Sequence, residues 1–188
     1  MLQHHHPTPQ PPTRVVLLGG SGFIGKYLLR HLAEQNIETV AIASKDVDLC
    51  RPESVEQLQN LIRPNDAVVF ASALTPDRGR DRTTMLKNIA MGDHVCQALE
   101  KSACAHLVYI SSDAVYRDGE HPIRENSCCN PSSLYGLGHL VREEMLKETA
   151  RRLSLPLAIL RPPALYGAGD PHNGYGPNRF KRMAEERG

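Results

Sequence analysis

VVLLGGSGFIGKYLL, residues 15–29, carries the reading of the whole chain. Val15 to Leu18 is a short, uninterrupted apolar run, the signature of a strand buried on both faces. Gly19, Gly22 and Gly25 follow in a G-x-x-G-x-x-G spacing, and Phe23, Ile24, Tyr27, Leu28 and Leu32 then recur at helical period. Strand, glycine turn and helix in immediate succession form a phosphate cradle. Gly19 supplies the tight turn, Gly22 lets main chain approach a pyrophosphate, and Gly25 permits close packing of helix on sheet. The amino end of the helix adds unpaired N–H groups and a partial positive charge. A bound dinucleotide is the expectation.

Outward from this unit, apolar runs alternate with helical segments. Thr39–Ala43, Ala67–Ala71, His106–Ser111 and Leu157–Leu160 read as further strands. Pro52 opens a helix that ends before Pro64, and a longer one runs from about Thr83 to Lys101 with Leu86, Ile89 and Leu99. Pro131 starts a helix in which Leu134, Leu137, Val141 and Met145 mark the apolar face, and Gly167 to Pro177 reads as a loop. The pattern predicts an α/β fold, a doubly wound parallel sheet of six strand-like units in the order 3-2-1-4-5-6. Ligands belong at the carboxyl ends of its strands. The expected organisation is a tail over residues 1–13, a dinucleotide-binding domain over 14–166, and the beginning of a substrate lobe over 167–188.

Composition removes several function classes. Across 188 residues, 22 Lys and Arg face 21 Asp and Glu, a net charge of +1 that favours neither nucleic acid nor an anionic membrane. No run reaches the roughly 18 apolar residues of a membrane helix. Five cysteines, with no C-x-x-C pair, argue against a disulfide framework or a zinc site and fit a reducing cytoplasm. The first thirteen residues carry four prolines and no apolar core, so they read as a solvated tail in which His4, His5 and His6 have no metal role. Ser44, Lys45 and Asp46 end the second strand: Asp46 facing a ribose would select NAD, whereas Ser44 with Lys45 would accept the phosphate of NADP. Both remain open, with NAD the preferred expectation.

Five stretches in order, GGSGFIG (19–25), ASAL (71–74), ISSDAVY (110–116), PSSLYG (131–136) and LRPPALYG (160–167), resemble the extended short-chain dehydrogenase/reductase family, in its NAD-dependent epimerase/dehydratase branch. The resemblance implies hydride transfer between NAD(P) and a small-molecule substrate, a nucleotide-linked sugar. It implies Tyr135 as the acid/base and Ser112 as the hydroxyl that holds the substrate oxygen. It also places Phe23 and Ile24 with the glycines, Ala71, Ser72, Ala73 and Asn88 on the adenosine half, and Pro162 and Pro163 near the nicotinamide. Family members often pair through the helix bearing the Tyr, so a homodimer is expected, and they continue into a small lobe that closes over the substrate. Asp113 is followed by Ala114 rather than a second carboxylate, which disfavours dehydration.

A free tyrosine ionises near pH 10, so a phenol that accepts a proton at neutral pH needs a nearby cation. The family supplies a Lys one helical turn on; here His139 stands there. With an ordinary pKa near 6.5 it is expected to be partly charged, and His139→Lys to raise activity. Arg142, two turns from Tyr135 and about 10 Å along the axis, reads as a solvated surface residue. Cys128 and Cys129 read as inert loop thiols. Two other readings stand beside the enzyme: a dinucleotide-binding protein without chemistry, and an inactive fragment.

Overall fold

In a computed structural model, which describes residues 8, 10–119, 121–170 and 176–187, the apolar runs become one parallel sheet. The chain runs β1 (Arg14–Leu18), α1 (Phe23–Glu34), β2 (Glu38–Ile42), α2 (Ser54–Leu61), β3 (Asp66–Phe70), α3 (Arg82–Lys101), β4 (His106–Ile110), a 3-10 turn (Asp113–Val115), α4 (Leu134–Leu153), β5 (Leu157–Leu160) and α5 (Gly176–Arg187). Every residue of β1 is buried, as a central strand covered on both faces requires. Helices α2, α3 and α4 pack Leu58, Val95, Leu99 and Leu146 against Val16, Leu18, Val68 and Phe70 on one face. On the other face, Leu28, Leu29 and Leu32 of α1 meet Val15, Leu17 and Ala67. No helix among the described residues is long and apolar enough to cross a membrane.

The sheet order is β2-β1-β3-β4-β5, five strands where six were expected. It is the expected order without its first outer strand. The five runs named as strands all form, and no strand adds to the sheet beyond β2, where Val47 and Leu49 bury alternate side chains of the Asp46–Cys50 segment at 7% and 6% exposure. Its backbone is spent locally: Asp46 and Val47 donate to the Ala43 carbonyl, and Cys50 donates to Asp48 Oδ1 at 3.0 Å. Short acidic side chains that satisfy nearby N–H groups compete with a strand ladder, and here they win. The switch point survives, because β1 pairs with β2 on one side and β3 on the other, Leu18 lying opposite both Ile42 and Phe70.

Helix α4 departs most from its sequence reading. It begins at Leu134, capped by the Ser133 hydroxyl, rather than at Pro131. Leu134 and Leu137 are exposed at 39% and 38%, so the leucine stripe is not the core face. The buried face is Gly136, Gly138, His139, Arg142, Glu143, Leu146, Thr149 and Ala150, half of them polar or charged. Leu86 of α3 is likewise exposed, while Asn88, Met91, Gly92 and Val95 turn inward. Gly176 and Pro177 open α5 instead of closing the preceding loop. Of the expected tail, residues 1–7 and 9, with His4, His5 and His6, lie outside the described residues, as do residues 171–175 and 188 of the expected lobe.

Candidate functional site

The glycine turn lies at the carboxyl end of β1. Gly19 has φ +102°, a left-handed conformation that a side chain disfavours, and a Cβ there would stand 3.0 Å from the main chain of Ala71 and Ser72. Gly19 and Gly20 both donate to the Ile42 carbonyl, which ties the turn to the end of β2. A Cβ on Gly25 would collide with the Gly19 carbonyl, so this glycine closes helix onto turn rather than helix onto sheet. Gly22 is the N-cap of α1, with no side-chain cap and no acidic residue in the first turn. Phe23 and Ile24 begin the helix. The exposed amino end of α1 is thus open to an anionic group.

Around this turn stand the other sequence candidates. Ser44, Lys45 and Asp46 are exposed at the end of β2, and Asp46 Oδ2 accepts the Ala43 N–H at 3.1 Å. Ala71, Ser72 and Ala73 follow β3 beside Gly19. Asn88 is 3% exposed, and both ends of its amide are bound to Leu74: Oδ1 accepts its N–H at 2.8 Å and Nδ2 donates to its carbonyl at 3.0 Å. It holds the loop after β3 in place. The Pro162 carbonyl accepts the Asp113 N–H at 3.3 Å and joins the chain after β5 to the 3-10 turn.

Ser112 caps that turn, its Oγ accepting the Ala114 N–H at 3.1 Å and donating to Asp113 Oδ1 at 3.2 Å. Helix α4 closes on it from the other side. A Cβ on Gly136 would collide with the Ala114 carbonyl, so no other residue allows this approach at the position after Tyr135. Residues 112 and 135, 23 positions apart, are brought to one corner of the sheet by that contact.

Behind Tyr135 the core is polar and charged. The Tyr135 and His139 rings meet edge to face, centroids 4.6 Å apart, and His139 Nδ1 hydrogen-bonds the Tyr109 hydroxyl at 2.7 Å. Burial, with a smaller contribution from the Arg142 charge, lowers the His139 pKa to about 3. The imidazole is therefore neutral at neutral pH, not partly charged as its sequence position suggested. Arg142 is not a surface residue: its exposure is 0%. Its guanidinium lies over the Phe70 and Tyr109 rings, 4.3 and 5.0 Å from their centroids, and donates from Nη2 to the Ser72 carbonyl at 2.7 Å.

A second buried group ties β4, α4 and β5 together. Glu143, 0% exposed, receives two hydrogen bonds from Arg161, at 2.9 and 2.6 Å, and one from Ser111 Oγ at 2.6 Å. Arg161 also donates to the Tyr116 hydroxyl at 2.7 Å. The hydrogen bonds that Arg161 donates to Glu143 raise its pKa despite partial burial, so the guanidinium stays charged. Tyr109, Glu143 and Arg161 were not singled out by the sequence, and Arg142 was placed wrongly on the surface. The available signal was the spacing of His139, Arg142 and Glu143 at positions 4, 7 and 8 from Tyr135, one face of a helix. Cys128 is exposed and Cys129 half-buried; both are free thiols.

A parallel sheet with an open glycine turn at its switch point defines a protein of the doubly wound dinucleotide-binding class. The chain belongs to the NAD dependent epimerase/dehydratase family, whose model matches residues 15–186. It is 29% identical over 165 residues to methionine adenosyltransferase 2 subunit beta of Mus musculus, covering 84% of this chain and 48% of that one. Among solved structures it is similar to a UDP-N-acetylglucosamine 4-epimerase from Bacillus cereus, with TM-score 0.75 and 25% identity over 93% of this chain and 62% of that one. It is also similar to a protein called RMD from Pseudomonas aeruginosa in complex with NADPH, with TM-score 0.73 and 26% identity over 87% and 57% of the two chains. The chain spans about half the length of the curated relatives it matches.

Proposed function

We propose that this chain is the cofactor-binding part of an NAD(P)-dependent epimerase or reductase acting on a hydroxyl or ketone of a nucleotide-linked sugar. The open amino end of α1 behind the Gly19–Gly25 turn carries the reading. Its uncapped N–H groups fit a pyrophosphate, and Ser44, Lys45 and Asp46 stand at the strand end where a ribose or its phosphate would be read. The nicotinamide, when bound, supplies the hydride donor or acceptor. Tyr135 takes the proton of the substrate alcohol during oxidation and returns it during reduction. Ser112 holds the substrate oxygen in line by turning its O–H to that oxygen from Asp113 Oδ1, a 3.2 Å bond, while its Oγ keeps the Ala114 N–H. The similarity to a UDP-N-acetylglucosamine 4-epimerase supports a small-molecule substrate, and a homodimer is part of the proposal.

Calorimetric titration with NADH and NADPH tests binding, followed by cofactor turnover with a panel of UDP- and dTDP-sugars. Binding with turnover that is lost in Tyr135→Phe, while affinity stays, is the expected result. Failure to bind either cofactor refutes it. A second reading, cofactor binding without turnover, draws on the neutral His139 at the position where the family carries a lysine. The similarity to a protein named as a subunit of an adenosyltransferase points the same way. Tight binding with no turnover across the panel selects it.

A further inference from the structure

Arg142 is an anomaly in energetic terms. It is the largest fully buried side chain, no carboxylate pairs with it among the described residues, and its Nε and Nη1 have no hydrogen-bond partner there. Burying a charge in this way costs several kcal/mol unless something offsets it. The rings of Phe70 and Tyr109 and the Ser72 carbonyl offset part of the cost. Room for the side chain comes from Gly92 of α3, where a Cβ would stand 2.9 Å from Arg142 Cγ. The core is built around a cation that stability alone would not select, a pattern typical of functional sites.

Its surroundings connect it to Tyr135. Arg142 lies over the Tyr109 ring, the Tyr109 hydroxyl binds His139, and the His139 ring abuts Tyr135. The titratable groups facing it are Tyr109 of β4, His139 and Tyr135 of α4, Cys96 of α3 and Cys50 of the loop after β2. Glu143, the nearest carboxylate along the helix, is committed to Arg161, Ser111 and Lys147. Burial lowers the Arg142 pKa, yet an arginine remains protonated throughout the working range.

We propose that Arg142 is the fixed cation of this site, a positioning residue that stabilises the ionised phenol of Tyr135 from inside the core and anchors the loop after β3 through Ser72. The proposal rests on the reading of Tyr135 as the acid/base. It moves the required charge one helical turn deeper than the position His139 occupies. At about 10 Å and an effective dielectric of about 20, the attraction is equivalent to about one pH unit in the ionisation midpoint of Tyr135.

The test is a near-ultraviolet phenolate titration, clean because the chain has six tyrosines and no tryptophan. Subtracting a matched Tyr135→Phe titration isolates Tyr135. Its midpoint is expected to rise by about one pH unit in Arg142→Met, to be largely restored in Arg142→Lys, and to stay in place in His139→Gln. An unchanged midpoint in folded Arg142→Met overturns the proposal. So does a wild-type midpoint at or above about 10, which decides the matter even if Arg142→Met fails to fold. No hydride transfer is read, so a midpoint that moves as expected in a chain that turns over no cofactor upholds the charge assignment while removing the catalytic reading.

Discussion

Glu143 and Arg161 form a pair whose two halves are unequally buried, and that inequality fixes the order in which their loss should matter. Glu143 has no exposed surface, whereas the Arg161 side chain keeps 17% of its own. Removing one partner of a buried pair costs about 3–5 kcal/mol, chiefly because the survivor is left charged and dry. In Arg161→Met the survivor is the fully enclosed carboxylate, held only by Ser111 and by Lys147 at 3.7 Å, so the upper end is expected. In Glu143→Gln the survivor is Arg161, which reaches water and keeps Tyr116, so the cost should fall at or below about 3 kcal/mol. For a chain of this length, about 2–4 °C of melting temperature accompanies each kcal/mol. Arg161→Met should therefore melt roughly 8–20 °C below wild type, with Glu143→Gln well above it. The double variant Glu143→Leu/Arg161→Met, which leaves no charge behind, should recover most of the loss. Thermal and urea unfolding of the four proteins measure this. A reversed order of the singles, or a double variant whose loss is the sum of the two, would refute the assignment of the cost to stranded charge.

Three further outcomes follow from the same geometry. Gly25→Ala drives a methyl into the Gly19 carbonyl, so it should cost about 1–3 kcal/mol and abolish NAD(P)H binding in calorimetry, whereas Gly119→Ala, with open space around it, should leave binding intact. His139 is neutral in the fold down to about pH 3 but binds a proton near 6.5 when unfolded, so stability should fall by up to about 1.4 kcal/mol per pH unit below 6.5. Its loss continues until the folded pKa is reached, and urea unfolding across pH 4 to 7 should show a shallower slope in His139→Gln. His139→Lys, which the sequence marked as a gain of activity, instead places an ammonium at a site 3% exposed beside Arg142. It should lose about 2–4 kcal/mol, much of it regained in His139→Lys/Arg142→Met; strictly additive losses would show that the two cations do not meet.

The sheet was legible because its signals are local. Four residues from Val15 to Leu18 and three glycines at fixed spacing need nothing distant to be read as strand, turn and helix, and the strands after them are short apolar runs, each parallel to its neighbour in the sheet. No sixth strand forms beyond β2, where two aspartates, Asp46 and Asp48, bind neighbouring N–H groups, a competition that propensity does not weigh. The inner face of α4 was illegible for a different reason. Binary patterning assigns leucines to the core and charges to water, and here Leu134 and Leu137 face out while His139, Arg142 and Glu143 face in.

That inversion has a physical basis in the partners on β4 and β5. A helix can bury Glu143 only if Arg161 arrives from the end of β5 and Ser111 from the end of β4, and it can bury Arg142 only if two aromatic faces and a glycine make a slot. Each partner is distant in sequence, from 18 to 72 residues away, so none appears in a window that reads helical period. The polar groups turned inward gather where β4 and β5 end and α4 begins, around the Ser112 turn and Tyr135. Elsewhere the inward helix faces are mainly apolar, with Leu58, Val95 and Leu146 in the core, and the uncharged Ser54, Asn88 and Thr149 are the polar residues they bury. A second buried pair, Arg14 with Asp66, closes the amino ends of β1 and β3, whereas His139, Arg142 and Glu143 stand behind the corner where proton transfer would need a fixed charge and a rigid frame.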